Sequence, residues 1–344
     1  MGGWMRAVTV GVALAAGALL AAEAARAGTL ERVREAGVLR CGVIPSGTGV
    51  ATMDGAGNWT GFFPEMCRAL AAATLGRAGS VAFVEVGVEN RFTALRNGAI
   101  DVVMETSTWT QERELTMGLA FPAVYLFDGQ GFLAHRSLAA ATLAEAGTAS
   151  VCVVDGTTTV RNLENWIARQ GARLTIRRMR SADGAITAFF NHHCDLYTGD
   201  RVALHGQRAQ NAPARDDYRI LPDIIAKEPL SPVVRNDDPN WRDVVRWVVL
   251  ALLTAEEKGV TAANAAARKT TGDAETRRLL GALPGLGQGL GLDDDWGLRV
   301  VMQLGNYGEI YDRTLGRLSP LAIERGMNAL WTDGGLLYAP PLGG

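Results

Sequence analysis

From Thr29 onward, short apolar runs alternate with segments whose apolar residues fall three and four apart. That rhythm predicts βαβ units built around largely parallel sheets. Val38–Ile44 reads as a strand, and Met66, Ala69, Leu70 and Ala73 mark one face of a helix that ends near Gly76. A strand over Val81–Val86, a helix over Arg91–Asn97 stopped by Gly98, and a buried strand over Ile100–Met104 complete a first cycle. A further helix opens near Thr110. The rhythm then restarts with a strand over Val151–Val154 and a helix running through Trp166. A strand over Leu174–Met179, a helix over Ala182–Asn191 and a strand over Asp195–Thr198 follow. Both halves open on a strand that carries a cysteine, Cys41 and Cys152, without real sequence identity. The pattern therefore describes two similar lobes and no true repeat.

Two extended segments, Asp128-Gly129-Gln130-Gly131-Phe132 and Lys227-Glu228-Pro229-Leu230-Ser231-Pro232, are placed to link the lobes. Two crossings imply that the second lobe is inserted into the first. The expected division is residues 28–130 for the first part of lobe 1, 131–228 for lobe 2, and 229–344 for the completion of lobe 1 with a helical C-terminal extension. That last third starts with a helix over Trp241–Glu257 and includes a Gly- and Leu-rich loop over Gly281–Gly291.

The N-terminus has a different pattern. A basic start ending at Arg6 precedes an apolar run from Ala7 to Ala22, and Ala25-Arg26-Ala27 fits the small-residue cleavage rule of a secretory signal. The run falls short of the roughly 20 residues that span a bilayer. Residues 1–27 are thus expected to be a signal peptide cleaved near Ala27, giving an exported, soluble, periplasmic protein. Export gives the four cysteines an oxidising compartment, where three pairings are possible. Chain order favours Cys41 with Cys67 and Cys152 with Cys194, and free buried thiols are the alternative.

Charge removes one class of partner. Thirty-four Lys and Arg against 36 Asp and Glu leave a net charge of −2, without the basic excess of a nucleic-acid binder. At 48% hydrophobic and 20% charged, the chain is not a disordered polymer either. No nucleotide, serine-hydrolase or zinc-protease motif is present, so no cofactor and no metal are expected. His192-His193-Cys194-Asp195 superficially suggests a metal cluster, but adjacent residues there point in different directions.

Three segments could carry chemistry. Thr106-Ser107-Thr108-Trp109-Thr110-Gln111-Glu112-Arg113 lies just past a buried strand, where open α/β sheets place ligand sites. Its hydroxyls and free amides could hold an anion, and Arg113 could grip a carboxylate with two parallel bonds. Asp155-Gly156-Thr157-Thr158-Thr159 is a second strand end whose amides could contact the same anion. Tyr197-Thr198-Gly199-Asp200 offers an acidic residue for an ammonium group, or an N-cap for the helix that starts at Arg201. An anion grip on one lobe and a cation grip on the other suit a zwitterion such as a free α-amino acid.

At these residues the chain resembles the periplasmic amino-acid-binding proteins of ABC importers, in the type II binding-protein fold, and within them the general L-amino acid-binding branch. Leu39-Arg40-Cys41-Gly42-Val43, Gly57-Asn58-Trp59-Thr60-Gly61-Phe62 and Arg91-Phe92-Thr93-Ala94-Leu95 carry the resemblance, followed by Thr108-Trp109-Thr110, Asp128 to Phe132, Gly156 to Thr159 and Lys227 to Leu230. Gly305-Asn306-Tyr307-Gly308-Glu309, Glu324-Arg325-Gly326-Met327-Asn328 and Trp331-Thr332 extend it to the end. The resemblance implies a two-lobe, monomeric protein that closes on free L-amino acids, accepting a broad range of side chains, and delivers them to the membrane permease of an ABC importer. It implies that Arg113 takes the carboxylate, with Thr106 and Thr108 beside it, that Thr157, Thr158 and Thr159 contact the ligand from lobe 2, and that Asp200 takes the α-amino group. It supports the within-lobe disulfide pairing. Arg113 and Asp200 are expected to face an open, wet cleft. Three departures stand out: Phe63-Pro64 before Glu65, Val50 where an aromatic would cover the side-chain pocket, and Glu105 where a small polar residue is common. Alternatives are a dehydratase on the same scaffold, using Arg113 with Glu105 as general acid, and the sensor module of a signalling protein.

Overall fold

The computed structural model describes residues 28–343. The expected signal peptide, residues 1–27, lies outside the described residues. After an opening helix over Thr29–Ala36, lobe 1 runs through strand β1 (Leu39–Val43), helix α1 (Phe62–Leu75), strand β2 (Val81–Glu85), helix α2 (Arg91–Arg96), strand β3 (Val102–Val103) and helix α3 (Gln111–Thr116). Its sheet has the order β2-β1-β3 with both pairs parallel, Cys41 opposite Phe83 on one side and Val102 on the other. The predicted strand over Ile100–Met104 shrinks to two paired residues, although Asp101 N and Met104 N still bond the carbonyls of Arg40 and Gly42.

A ten-residue strand, β4 (Leu126–His135), leaves lobe 1 and enters lobe 2. Lobe 2 then runs β5 (Ser150–Val154), α4 (Thr158–Gln170), β6 (Thr175–Met179), α5 (Ala182–Phe190), β7 (Leu196–Asp200), α6 (Arg201–Asn211) and β8 (Tyr218–Ile220). The chain returns along β9 (Ala226–Leu230), which pairs antiparallel with β4 and sets Glu228 opposite Asp128. β7, β5 and β6 are mutually parallel, while β4 meets β7, β8 and β9 antiparallel, so this sheet is mixed. Period-two alternation explains its two faces. Phe132, Val151 and Val153 enter one apolar cluster, and Leu133, Cys152 and Val154 enter the other. The cysteines pair within lobes, Cys41 with Cys67 at 6.1 Å between Cα atoms and Cys152 with Cys194 at 5.7 Å.

After β9 the helices α7 (Pro239–Glu257), α8 (Trp296–Leu304) and α9 (Tyr307–Thr314) add to the core of lobe 1. Phe62 is its hub, edge-on to Phe63, Tyr125 and Tyr307 at 5.5, 5.9 and 5.8 Å between ring centroids. The Phe63 departure therefore falls in the core, where Phe63 is fully buried, and not in the cleft. The C-terminal segment is tied to the crossing strand: Asn328 accepts from Phe127 N at 2.7 Å and donates to Phe127 O at 2.9 Å. Among the described residues no helix is long and apolar enough to cross a membrane.

Candidate functional site

The chain turns sharply after β3, and the turn is held by a buried anion. Glu105 is 1% exposed; Arg91 Nε lies 3.2 Å from its Oε1, and Ser107 Oγ donates to the same oxygen. Tyr125 OH adds a 2.6 Å bond to the Glu105 carbonyl. The carboxylate that the enzyme alternative would use as an acid is thus committed to structural partners.

Thr110 caps α3 by accepting from Arg113 N at 3.2 Å, which fixes the start of the Arg113 side chain. The guanidinium donates from Nη1 to Thr108 O at 2.7 Å and lies 5.2 Å from the centre of the Phe92 ring. Arg91 stacks on the same ring at 4.6 Å. Burial, joined by the Arg91 cation, pulls the Arg113 guanidinium down to about 10, and the carboxylates of Glu105, Glu228 and Asp200 act the other way. At 7% exposed, Arg113 does not face open water as expected. Phe92, reached from a separate helix, covers its flat side.

Asp200 ends β7 and occupies the N-cap position of α6 but makes no capping bond. Asp128 takes that task from the crossing strand, accepting from Val202 N at 2.9 Å. Asp200 is left half-buried in the cleft. Burial raises its carboxyl well above the usual range; Glu228, Asp128 and Glu105 push it further, and a bond from Thr106 opposes them. Glu228, 2% exposed, is raised by burial too, against bonds from Thr108 Oγ1 and from Asn162 Nδ2 at 3.1 Å and the nearby Arg113 charge.

Thr106, Thr157, Thr159 and Asp200 line one cavity of about 70 Å³ between the lobes, together with Ile44, Ser46, Val88, Ile186, Tyr197 and Gln207. Thr108 and Thr158 open instead onto a neighbouring cavity of about 340 Å³ shared with Arg161, Asn162 and Glu228. Arg113 lies behind both, within electrostatic reach of Asp200. Val50 lines neither cavity. It is fully buried in the lobe 1 core, because its loop folds inward and packs against α6. Some of the expected hydroxyl contacts are already used: Thr157 Oγ1 donates to Val154 O at 2.7 Å, and Thr108 Oγ1 donates to Glu228.

Glu228 and Asn162 escaped the sequence reading. Glu228 had a usable signal, an acidic residue inside a segment assigned to cross between lobes, since such a strand forms the floor of the cleft. Asn162 had none, being one polar position on an amphipathic helix.

Residues 39–262 match the family model of bacterial extracellular solute-binding proteins, family 3. The chain is 44% identical over 333 residues to the glutamate/glutamine/aspartate/asparagine-binding protein BztA of Rhodobacter capsulatus, across 96% of this chain and 97% of the relative. It is 40% identical over 323 residues to the general L-amino acid-binding periplasmic protein AapJ of Rhizobium johnstonii, across 93% and 94%. A solved ABC transporter periplasmic binding protein from Brucella ovis, with glutathione bound, superposes with a TM-score of 0.89 at 39% identity, over 92% of this chain and 99% of that one. On the family match, these identities and the two-lobe architecture, the chain belongs to the bacterial extracellular solute-binding proteins, family 3.

Proposed function

We propose that this protein is an exported receptor, cleaved near Ala27, that holds a free L-amino acid between its lobes and hands it to the membrane permease of an ABC importer. The division into residues 28–130, 131–228 and 229–344 is part of that reading, with the boundaries falling on the two crossing strands. One observation carries it: Asp200 of lobe 2 and Thr106 of lobe 1 line the same cavity, and the buried Arg113 guanidinium sits beside it on the Thr108 carbonyl. Among the described residues Arg113 has no ion pair, so one charge of a zwitterion can complete it, and the ammonium group can relieve Asp200. The names of the relatives, which bind amino acids, point the same way.

Binding requires motion. About 70 Å³ holds roughly two water molecules at ~30 Å³ each, so the lobes part to admit an amino acid and close on it. Closure favoured by the ligand then gives the permease a shape to read. Ile44, Val88 and Ile186 at the cavity wall offer apolar contact with no directional demand, which supports breadth across several side chains.

Calorimetric titration of the secreted protein with each of the twenty amino acids tests this. Binding of several of them supports the reading, and no binding at millimolar ligand rejects it. A single amino acid preferred more than a thousandfold over all others, about 4 kcal/mol, would reject the breadth alone.

A further inference from the structure

Where the two lobes meet beside the cleft, they touch backbone to backbone. The loop after β1 presents Gly47, and helix α6 of lobe 2 presents Gly206. A Cβ on Gly206 would stand 2.7 Å from Ser46 O, 2.8 Å from Val50 Cγ2 and 3.1 Å from Thr48 O. A Cβ on Gly47, whose φ is +95°, would stand 2.2 Å from Gly206 C and 2.5 Å from Gln207 N. Carbon contacts are repulsive well before such distances. Glycine in the middle of a helix is less favourable than alanine, so its place at position 206 calls for a compensating close approach.

The loop cannot step aside. Ser46 N and Gly47 N bond Ala51 O, Phe62 N bonds Gly49 O at 2.9 Å, and Phe63 N bonds Val50 O at 3.2 Å. Gly49 in turn sits against Thr314 O and Leu321. On the helix side, Val202, Gly206 and Gln210 fall four apart on one face. Val202 is buried in the lobe 1 cluster, and Gln210 accepts from Thr52 Oγ1 at 3.1 Å. The same helix begins immediately after Asp200, about 9 Å away along its axis at 1.5 Å per residue.

We infer that Gly206, meeting Gly47, is a positioning residue for ligand capture: the bare helix backbone sets how far the lobes close and therefore how near Asp200 comes to a ligand held on lobe 1. The inference rests on the amino-acid-binding reading above. A methyl group at position 206 holds the lobes apart by meeting the loop and not the ligand, because Gly206 itself does not line the cavity, although its neighbours Ser46 and Gln207 do.

The test uses Gly206→Ala in the full secreted protein, with an amino acid that wild type binds. Affinity should fall tenfold or more, and the radius of gyration under saturating ligand should exceed that of wild type. The unliganded melting temperature should hold or rise, as alanine suits the helix better. Wild-type affinity with a wild-type radius overturns the inference, as does lost affinity accompanied by a lowered unliganded melting temperature, which marks a mere packing role. If the variant does not fold, spin labels at Thr52→Cys and Gln210→Cys report the seam in the wild-type background. Dipolar broadening that grows on adding the amino acid supports the inference, and broadening that ignores ligand overturns it. Wild-type binding is measured first: its absence counts against the functional reading, and its presence beside an unaffected Gly206→Ala counts against the closure gauge alone.

Discussion

The two charged grips are built differently. Arg113 is assembled within lobe 1: its helix cap, its bond to Thr108 O and its stacking on Phe92 all come from residues of that lobe. Asp200 belongs to lobe 2 and meets lobe 1 only across the cleft, where Thr106 lines the same cavity. Under the proposed binding mode, one grip is built before the lobes close and the other is completed as they approach. The difference implies an order of events, with the carboxylate of the ligand docking on lobe 1 and its ammonium group collected by closure.

The sharpest challenge to this contrast is Arg113→Met, which keeps the apolar contact with Phe92 and removes the charge. Affinity for amino acids, measured by calorimetry, should drop by about 2–5 kcal/mol, or roughly 30- to several-thousand-fold. Unliganded stability should stay level, since a buried cation without an ion pair is removed along with one hydrogen bond. A variant that binds within threefold of wild type would move the carboxylate site elsewhere.

Asp200→Asn should cost less, about 2–4 kcal/mol of affinity, because the amide retains an oxygen acceptor. Here unliganded stability at neutral pH should rise, because a carboxylate pushed up by burial and by three acidic neighbours is relieved of its charge. If Asp200→Asn lost more affinity than Arg113→Met, the lobe 2 grip would be the stronger of the two.

Asp128 gives the moving side a pH signature. Burial pushes its carboxyl up to about 6 from 3.8, so between those values the folded protein binds more protons than the unfolded chain. The Asp128 contribution to stability should fall as pH rises from about 4 to about 6 and level off above, against the opposite slope of His205, whose imidazole burial pulls from 6.5 down to about 4. At about 1.4 kcal/mol per unit this amounts to on the order of 2–3 kcal/mol. Chemical denaturation across that range reads the net slope, and Asp128→Asn, which can still accept from Val202 N, should remove the Asp128 share so that stability rises more steeply with pH than in wild type. An unchanged slope in that variant would assign the effect to another group.

The smallest effect should come from the cross-lobe ion pair between Arg161 and Glu112, 2.7 Å apart with both side chains more than half exposed. Arg161→Ala should alter affinity by under about 1 kcal/mol, and less in high salt. A tenfold loss would mean that the rim of the cleft, and not its interior, drives closure.

Most of the architecture was legible in the chain because apolar spacing reports directly on what must be buried. β1, α1 and β2 fall within a residue or a few of their predicted limits, and Gly76 ends α1 as expected. The two crossing segments and the cysteine pairing were legible too. The differences have separate causes. The resemblance puts Val50 at the side-chain pocket in place of an aromatic cover, but its loop folds inward and buries it in the core. Arg113 reads as solvent-facing because its cover, Phe92, lies 21 positions back in the chain on another helix. The hydroxyls of Thr108 and Thr157 read as ligand contacts because their internal acceptors, Glu228 and Val154 O, are visible only once the chain is folded.

The double bond between Asn328 and the Phe127 backbone has a consequence for how these molecules behave toward one another. β4 pairs with β7 only from Gln130 onward, so its first residues show a bare edge on that side. An unpaired strand edge is a template for a stranger's strand. Asn328, offering one acceptor and one donor in the spacing of a peptide group, occupies that edge as a single-residue substitute for a neighbouring strand. In a concentrated population the amide should act as a seal, and a chain shortened before it should carry an adhesive stripe along its own hinge.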